Sequence, residues 1–486
     1  MASARRLAGV LALLMVGAVA TACSGDEEPD PAPSTSAAPE SPSETSAPPS
    51  SLTVGVFGDR RHLEAYTEIV DSFRDANPSV DVEVQTFRDA PTAAEAALDA
   101  LTFESELDVF LADDRYLAQL VLTERLEPVD ALLEERGLEY GDDYQRVALT
   151  AFSADARLQC MPAEMSPLVI YVNTELVDRA EPPLVLPDEE ALDEEDEEPS
   201  EDASGDPSDE PSAEPFDLPD AEDGTWGWEE FEVLARAAAA IDGPGPIKGV
   251  YLPPTVELLT ALVRSAGGDV VDDVLDPDTL TLASEESREA IARAASLARD
   301  PSVAPRPRDL GKAGARGMFV DGELAMFVGT RADLPALREA TGLQFDVLPI
   351  PSLGRSRSVS LMSGWCLDAE SDNVDVGADF IAHAVGPEGS EIAASSGVLV
   401  PSGLDAVHDE AFLQPGLQPE NGQVYAQAIR RSDPLPFDAR WDEVVAQVET
   451  VLQRLWKRPA IDLEVTLEDR LAKVDTGSEG ILAEAE

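Results

Sequence analysis

Between Leu52 and Tyr116 the chain switches repeatedly between a period of two and a period near 3.6, and this limits the fold more than any other feature. Leu52 to Phe57 is an apolar run ending in Gly58-Asp59-Arg60, read as a buried first strand. Leu63, Tyr66, Ile69, Val70 and Phe73 then recur at helical spacing up to Asn77-Pro78, which stops the helix. Val80 to Phe87 alternates as a strand, Ala93 to Leu101 reads as a helix, and Leu107 to Ala112 as a third strand before Asp113-Asp114-Arg115-Tyr116. Strand–helix–strand repetition predicts an α/β lobe with a largely parallel sheet. Ligands of such sheets sit beyond the C-terminal strand ends, where Asp59-Arg60 and Asp114-Arg115 both fall.

The remainder is again mixed. Helices are expected at 254–266, 285–299, 376–384, 441–456 and 467–473, and short buried strands at 324–328 and 345–349. Thr225 is a fitting N-cap for a helix running to Ala240, with Trp228, Phe231 and Leu234 turned to the core. Residues 187–223 carry a charge of −19 with no Lys or Arg, and read as a disorder-like acidic insertion in a surface loop. The run lacks the spaced ligands and glycine of a calcium loop, so no metal is expected there.

The N-terminal region has a different character. Arg5 and Arg6 precede an apolar stretch, Leu7 to Ala20, which ends in Ala20-Thr21-Ala22-Cys23. This is the layout of a secretory signal over 1–22, and the cysteine at its end resembles a bacterial lipobox. Cleavage before Cys23 and lipidation of its sulfur are therefore expected, with residues 23–51, rich in Ser, Pro, Ala and acids, as a solvated tether. No later stretch is apolar for long enough to span a bilayer.

About 435 residues follow the tether, enough for two lobes. The formal charge of the chain is −63; without leader, tether and acidic run it is still −40. Such a surface repels nucleic acid and anionic lipid and argues against polyanionic ligands, with solubility as the plain reason for it. Besides Cys23 there are two cysteines, Cys160 and Cys366, which pair in an oxidising compartment or stay as buried thiols. The three histidines are scattered without metal-ligand spacing, and neither a Gly-x-Ser-x-Gly elbow nor a phosphate-cradling glycine loop occurs. No cofactor and no catalysis are expected, a glycosidase-like carboxylate pair being the least favoured alternative.

Several local motifs occur in one order: Phe57-Gly58-Asp59-Arg60; Ala112 to Tyr116; Met161-Pro162 leading to Pro167 through Asn173; Trp228-Glu229-Glu230-Phe231; Gly322 to Phe327; Ser363-Gly364-Trp365; Gly397 to Ser402. In that order the chain resembles the extracellular solute-binding proteins of bacterial ABC importers, specifically the group that includes maltose-binding proteins. The resemblance covers nearly all of residues 52–475. It implies two α/β lobes with a ligand cleft between them and a hinge crossed several times. One lobe would hold 52–161 and 361–400, the other 170–359 and 401–475, with 187–223 inserted in the second and 476–486 as a tail.

The resemblance also implies roles. It places the segments of Cys160 and Cys366 side by side, which favours a disulfide between them. Asp59, Arg60, Asp114 and Arg115 match charged sugar contacts of the family, each also readable as a surface ion pair or strand-end cap. Glu164 and Ser166 are candidate contacts near the hinge. Trp441 matches a stacking tryptophan or is buried in its helix, and Trp365 is a cleft aromatic or hinge packing. After Ala325 to Gly329 sugar binders commonly carry a tryptophan; here Thr330-Arg331 follows, which puts a guanidinium where a stacking face is expected and weakens a maltodextrin assignment. The expected function is capture of a small polar solute, carbohydrate first, for delivery to a membrane permease. A surface lipoprotein that uses the same fold for sensing or protein interaction is the alternative.

Overall fold

The structure is a computed structural model and describes residues 50–102, 107–180, 226–243, 245–457 and 463–482. Cys23, the tether up to residue 49, the 187–223 run and Thr225 lie outside the described residues; the last two residues of the expected tether, Ser50 and Ser51, already belong to a strand.

Two sheets organise the chain. The first has the order β2-β1-β3-β11-β6, built from β1 (Ser50–Phe57), β2 (Val80–Phe87), β3 (Val109–Asp113), β6 (Cys160–Pro167) and β11 (Ser360–Leu367). The second is β10-β7-β9-β8, from β7 (Val169–Asn173), β8 (Lys248–Tyr251), β9 (Leu324–Gly329) and β10 (Phe345–Leu348). A small hairpin, β4 (Ser153–Ala154) with β5 (Arg157–Leu158), stands apart. Each main sheet is parallel but for one strand: β11 is antiparallel to β3 and β6, and β7 to β9 and β10. The reversed strands are the two that follow a crossing from one sheet to the other, so they enter their sheets from the hinge side.

Local sequence explains the elements. In β1 the alternate residues Leu52, Val54 and Val56 are fully buried, while helix Arg60–Ala76 buries Tyr66, Ile69, Val70 and Phe73 against the sheet. Gly58 turns the chain between them at φ 135°, a conformation that side-chain-bearing residues avoid. In the second lobe helix Trp228–Ala239 lies so close on β8 that a Cβ on Gly249 would fall 1.8 Å from the carbonyl oxygen of Ala235. Trp228, Phe231 and Leu234 are buried as expected; the helix is capped at Gly227, whose N–H donates to Glu230 Oε2 at 2.8 Å. Ile170 and Val172 face one core of the second sheet, while Val169 and Tyr171 face the other.

The hinge is a bundle of three crossings. Leu168 N–H donates to Val359 O at 3.0 Å, Ser358 N–H to Arg431 O at 3.1 Å, and the hydroxyls of Ser360 and Ser432 lie 2.7 Å apart. The chain thus stays with the first sheet to Pro167, beyond the expected limit at 161. It also keeps to the first lobe after Val400: Gln145 N–H donates to Ser402 O and Leu404 N–H to Asp143 O, and the third crossing comes only at 431–433. The expected C-terminal tail is shorter, since helix Leu463–Leu482 continues to Leu482. Its Asp475 accepts from the N–H groups of Leu282 and Ala283, and Ser478 Oγ accepts from that of Leu280, which ties the helix to the second lobe.

Cys160 and Cys366 are directly opposed on β6 and β11 and form a disulfide, with Cα atoms 4.4 Å apart. The bond lies at the end of these strands remote from the hinge, so it staples the first lobe and not the crossing.

Candidate functional site

A cleft of about 540 Å³ separates the two lobes. The first lobe lines it with Asp114, Ala118, Val121 and Leu122 and with Thr150, Ala151, Ser153, Ala154 and Asp155 around β4; the second contributes Val274 to Asp276 and Pro434 to Ala439. The two second-lobe segments are tied together, Phe437 N–H donating to Val274 O at 2.9 Å. Leu122 and Leu275, each 69 % exposed, offer apolar surface from opposite walls.

Asp114 owes its place to the end of β3. Asp113 caps the following 3-10 turn, accepting from Arg115 N–H at 3.1 Å and from Arg115 Nε at 2.9 Å. This fixes Arg115 behind the turn, where its Nη1 lies 3.6 Å from Glu257 Oε1 in the second lobe. Asp114 Oδ1 is left buried without a hydrogen-bond partner. Burial, with Asp113 alongside, pushes the Asp114 carboxyl well above the usual range.

The other expected site residues divide into two groups. Glu164 and Ser166 are brought together at the hinge end of β6: Glu164 accepts from Tyr66 Oη and from Ser166 Oγ, both at 2.9 Å. Burial and the Glu164 carboxylate push the Tyr66 phenol well above its ordinary value. Asp59 is committed as the N-cap of helix Arg60–Ala76, accepting from the N–H groups of Arg61 and His62 and facing His62 Nδ1 at 2.8 Å. Arg60 is exposed and paired with Glu64 within its own helix. Neither lines the cleft, but Arg61 between Asp59 and His62 forms an ion pair with Glu339 of the second lobe.

Three readings need correction. Trp365 is 1 % exposed and packs edge-on against Tyr66 and Phe380 in the first-lobe core, because its position on β11 turns it toward the helices covering the sheet. Trp441 is fully buried in the second core at the start of helix Trp441–Lys457, so the helix-core reading holds over the stacking one. Arg331 is 1 % exposed and lies 3.7 Å from the centre of the Phe412 ring, donating from Nη2 to Phe412 O at 2.8 Å. Burial lowers its pKa to about 10. It braces the second lobe against the Phe412 and Tyr425 segment instead of facing solute.

Sequence reasoning missed Glu257, which looks like an ordinary first-turn acid of helix Val256–Ala266, and Gln119, whose Nε2 donates across the cleft to Asp442 Oδ1 at 3.1 Å. It missed Asp276 and Asp438 as well, since both are loop residues whose approach to Asp114 depends wholly on tertiary structure. Among the described residues no group of acids, histidines and cysteines is arranged to hold a metal ion.

Two α/β lobes, a hinge of three crossings and a cleft between them define a two-lobe solute-binding protein. A model of the bacterial extracellular solute-binding protein family matches residues 68–416, and the chain belongs to that family. Membership implies an extracytoplasmic setting; no helix among the described residues is long and apolar enough to cross a membrane. Solved structures share the fold. An ABC substrate-binding protein from Listeria monocytogenes in complex with cycloalternan is 17 % identical, with TM-score 0.69 over 87 % of this chain and 98 % of that one. The sugar-binding protein MalE of Xanthomonas citri is 16 % identical, with TM-score 0.69 over 90 % and 98 %. The GacH receptor of Streptomyces glaucescens, known unliganded and with acarbose, is 16 % identical, with TM-score 0.67 over 88 % and 99 %.

Proposed function

We propose that this protein captures a small carbohydrate-class solute between its lobes and delivers it to a membrane ABC permease, without chemical turnover. The observation that carries this reading is the cleft itself, a cavity walled by both lobes with a strand-end carboxylate, Asp114, on one side and apolar Leu122 and Leu275 at its edges. Carboxylates and hydroxyl-bearing residues such as Thr150 and Ser153 suit a hydroxyl-rich ligand, and apolar walls suit its C–H surface. Glu164 and Ser166, toward the hinge, would sense closure through Tyr66 on helix Arg60–Ala76, whose Arg61 pairs with Glu339 of the second lobe.

A solute touching both walls binds the closed arrangement better than the open one and so shifts the population toward it. Contacts already reach from one lobe to the other, among them Arg61 with Glu339, Arg115 with Glu257, and Gln119 with Asp442. Closure would then present a surface made from both lobes to the permease. Lipid on Cys23 and the tether behind it would hold the receptor at the outer face of the membrane.

A thermal-shift screen against sugars, polyols, amino acids and peptides tests the reading. A ligand at about a hundred times its dissociation constant adds about 2.7 kcal/mol to stability. Stabilisation by one or more sugars is the expected result; stabilisation by amino acids or peptides alone would redirect the assignment.

A further inference from the structure

We propose that the solute taken into this cleft carries a protonated amine as well as hydroxyls. The inference rests on the cleft being the solute site, and it concerns the charge of what enters. Four carboxylates line the cavity, Asp114 and Asp155 from the first lobe and Asp276 and Asp438 from the second, and no Lys or Arg is among its lining residues. The nearest guanidinium, Arg115, offsets the Asp114 charge only in part, since it is bound elsewhere. Arg115 lies behind Asp114, bound to both oxygens of Asp113 and beside Glu257.

Closure brings the two acidic walls together, and like charges drawn into a space of falling dielectric repel more strongly. A neutral sugar leaves that repulsion in place. An ammonium group between the walls reverses its sign, so binding and closure reinforce each other. Asp114 supplies the specific partner: its Oδ1 is buried, accepts no hydrogen bond, and belongs to a residue lining the cavity. An N⁺–H donor is what such an oxygen lacks, and a cation there would hold Asp114 in its charged form against the burial and the Asp113 charge that favour its protonation. The aromatic inventory agrees. Neutral oligosaccharides lean on stacked rings, yet Trp365 and Trp441 are buried in the cores, and Phe437 is the one aromatic residue among those lining this cavity.

Titration calorimetry on the purified full chain with matched pairs tests this. The probes are glucosamine oligosaccharides of two to four units, the same oligosaccharides fully N-acetylated, and maltose to maltotetraose. The amine series is expected to bind at least about tenfold more tightly than the acetylated one at neutral pH, with the gap shrinking in about 0.5 M salt. Asp114→Asn should narrow it further. Asp276→Asn, at an exposed loop position, should narrow it in part and guards against a misfolded Asp114 variant. Equal or tighter binding of acetylated or maltose-series sugars overturns the proposal and leaves the carbohydrate reading standing. Binding of none of the three series overturns both.

Discussion

Arg115, at the end of β3, reaches across the cleft to Glu257, on the first turn of helix Val256–Ala266, with Nη1 and Oε1 3.6 Å apart. Both side chains are largely shielded, at 23 % and 8 % exposure, so the pair links the lobes where water competes poorly. Asp113 on the same side, and Glu257 on the other, both favour the charged guanidinium.

Removing the cation should therefore cost more than removing its distal partner. Arg115→Gln leaves the Asp113 and Glu257 charges buried without a cation, a loss of about 3–5 kcal/mol in folding stability. Glu257→Gln leaves Arg115 bonded to Asp113 and should cost about 1 kcal/mol. Chemical denaturation of the two variants checks the order; equal losses would mean that Asp113 does not hold Arg115.

The Cys160–Cys366 bond closes a loop of 206 residues. In the chain-entropy account a loop of this size is worth about 5 kcal/mol. A Cys160→Ser, Cys366→Ser double variant should lose stability on that scale. Thiol titration of the unfolded protein should find neither of these two sulfurs free until reductant is added.

Arg331 separates stability from binding. Replacing it by Met removes the donor to Phe412 O and the charge over the Phe412 ring. A loss of about 2–3 kcal/mol is expected. Solute affinity of the folded variant should stay within about threefold of the parent, since this residue does not line the cleft. A large affinity loss at unchanged melting temperature would return Arg331 to the solute site.

Acidity should stabilise the ligand-free protein. Burial raises the carboxyls of Asp114, Asp333, Asp346, Asp368 and Asp475 above their ordinary value of 3.8. A raised folded-state pKa gives a contribution complete below the unfolded value and lost as pH climbs through the folded one. Carboxyls held low, such as those of Asp130 and Asp300, act the other way but only as pH falls below about 4. Burial holds the His383 imidazole low, which opposes the gain from the raised carboxyls as pH falls below about 6.5. The five carboxyls outnumber it, so the melting temperature should rise as pH falls from 7.5 to 5, and Asp114→Asn should flatten part of that rise. A melting temperature that falls over this interval would contradict the burial of these groups.

The parts of the fold readable in the sequence are those set by local period. Helix Glu285–Arg299 and the strand at Leu52 follow from apolar spacing alone, and Asp113 to Tyr116 announce a polar strand end. The facing of single side chains was not readable. Trp365 and Arg331 sit in motifs of strand ends, yet one neighbouring ring set, Tyr66 with Phe380, and one carbonyl, that of Phe412, decide their burial. The acidic walls escaped notice for the opposite reason: in a chain with 97 acidic residues, Asp155, Asp276 and Asp438 stand out only once folding sets them around one cavity.

The central claim is that a solute draws the lobes together. Spin labels at Glu68, exposed on helix Arg60–Ala76, and Glu286, exposed on helix Glu285–Arg299, report the distance between them in a chain carrying Cys23→Ser. Saturation with a binding sugar should collapse the distance distribution to one narrow, shorter population. A distribution unchanged at saturation would contradict capture by closure.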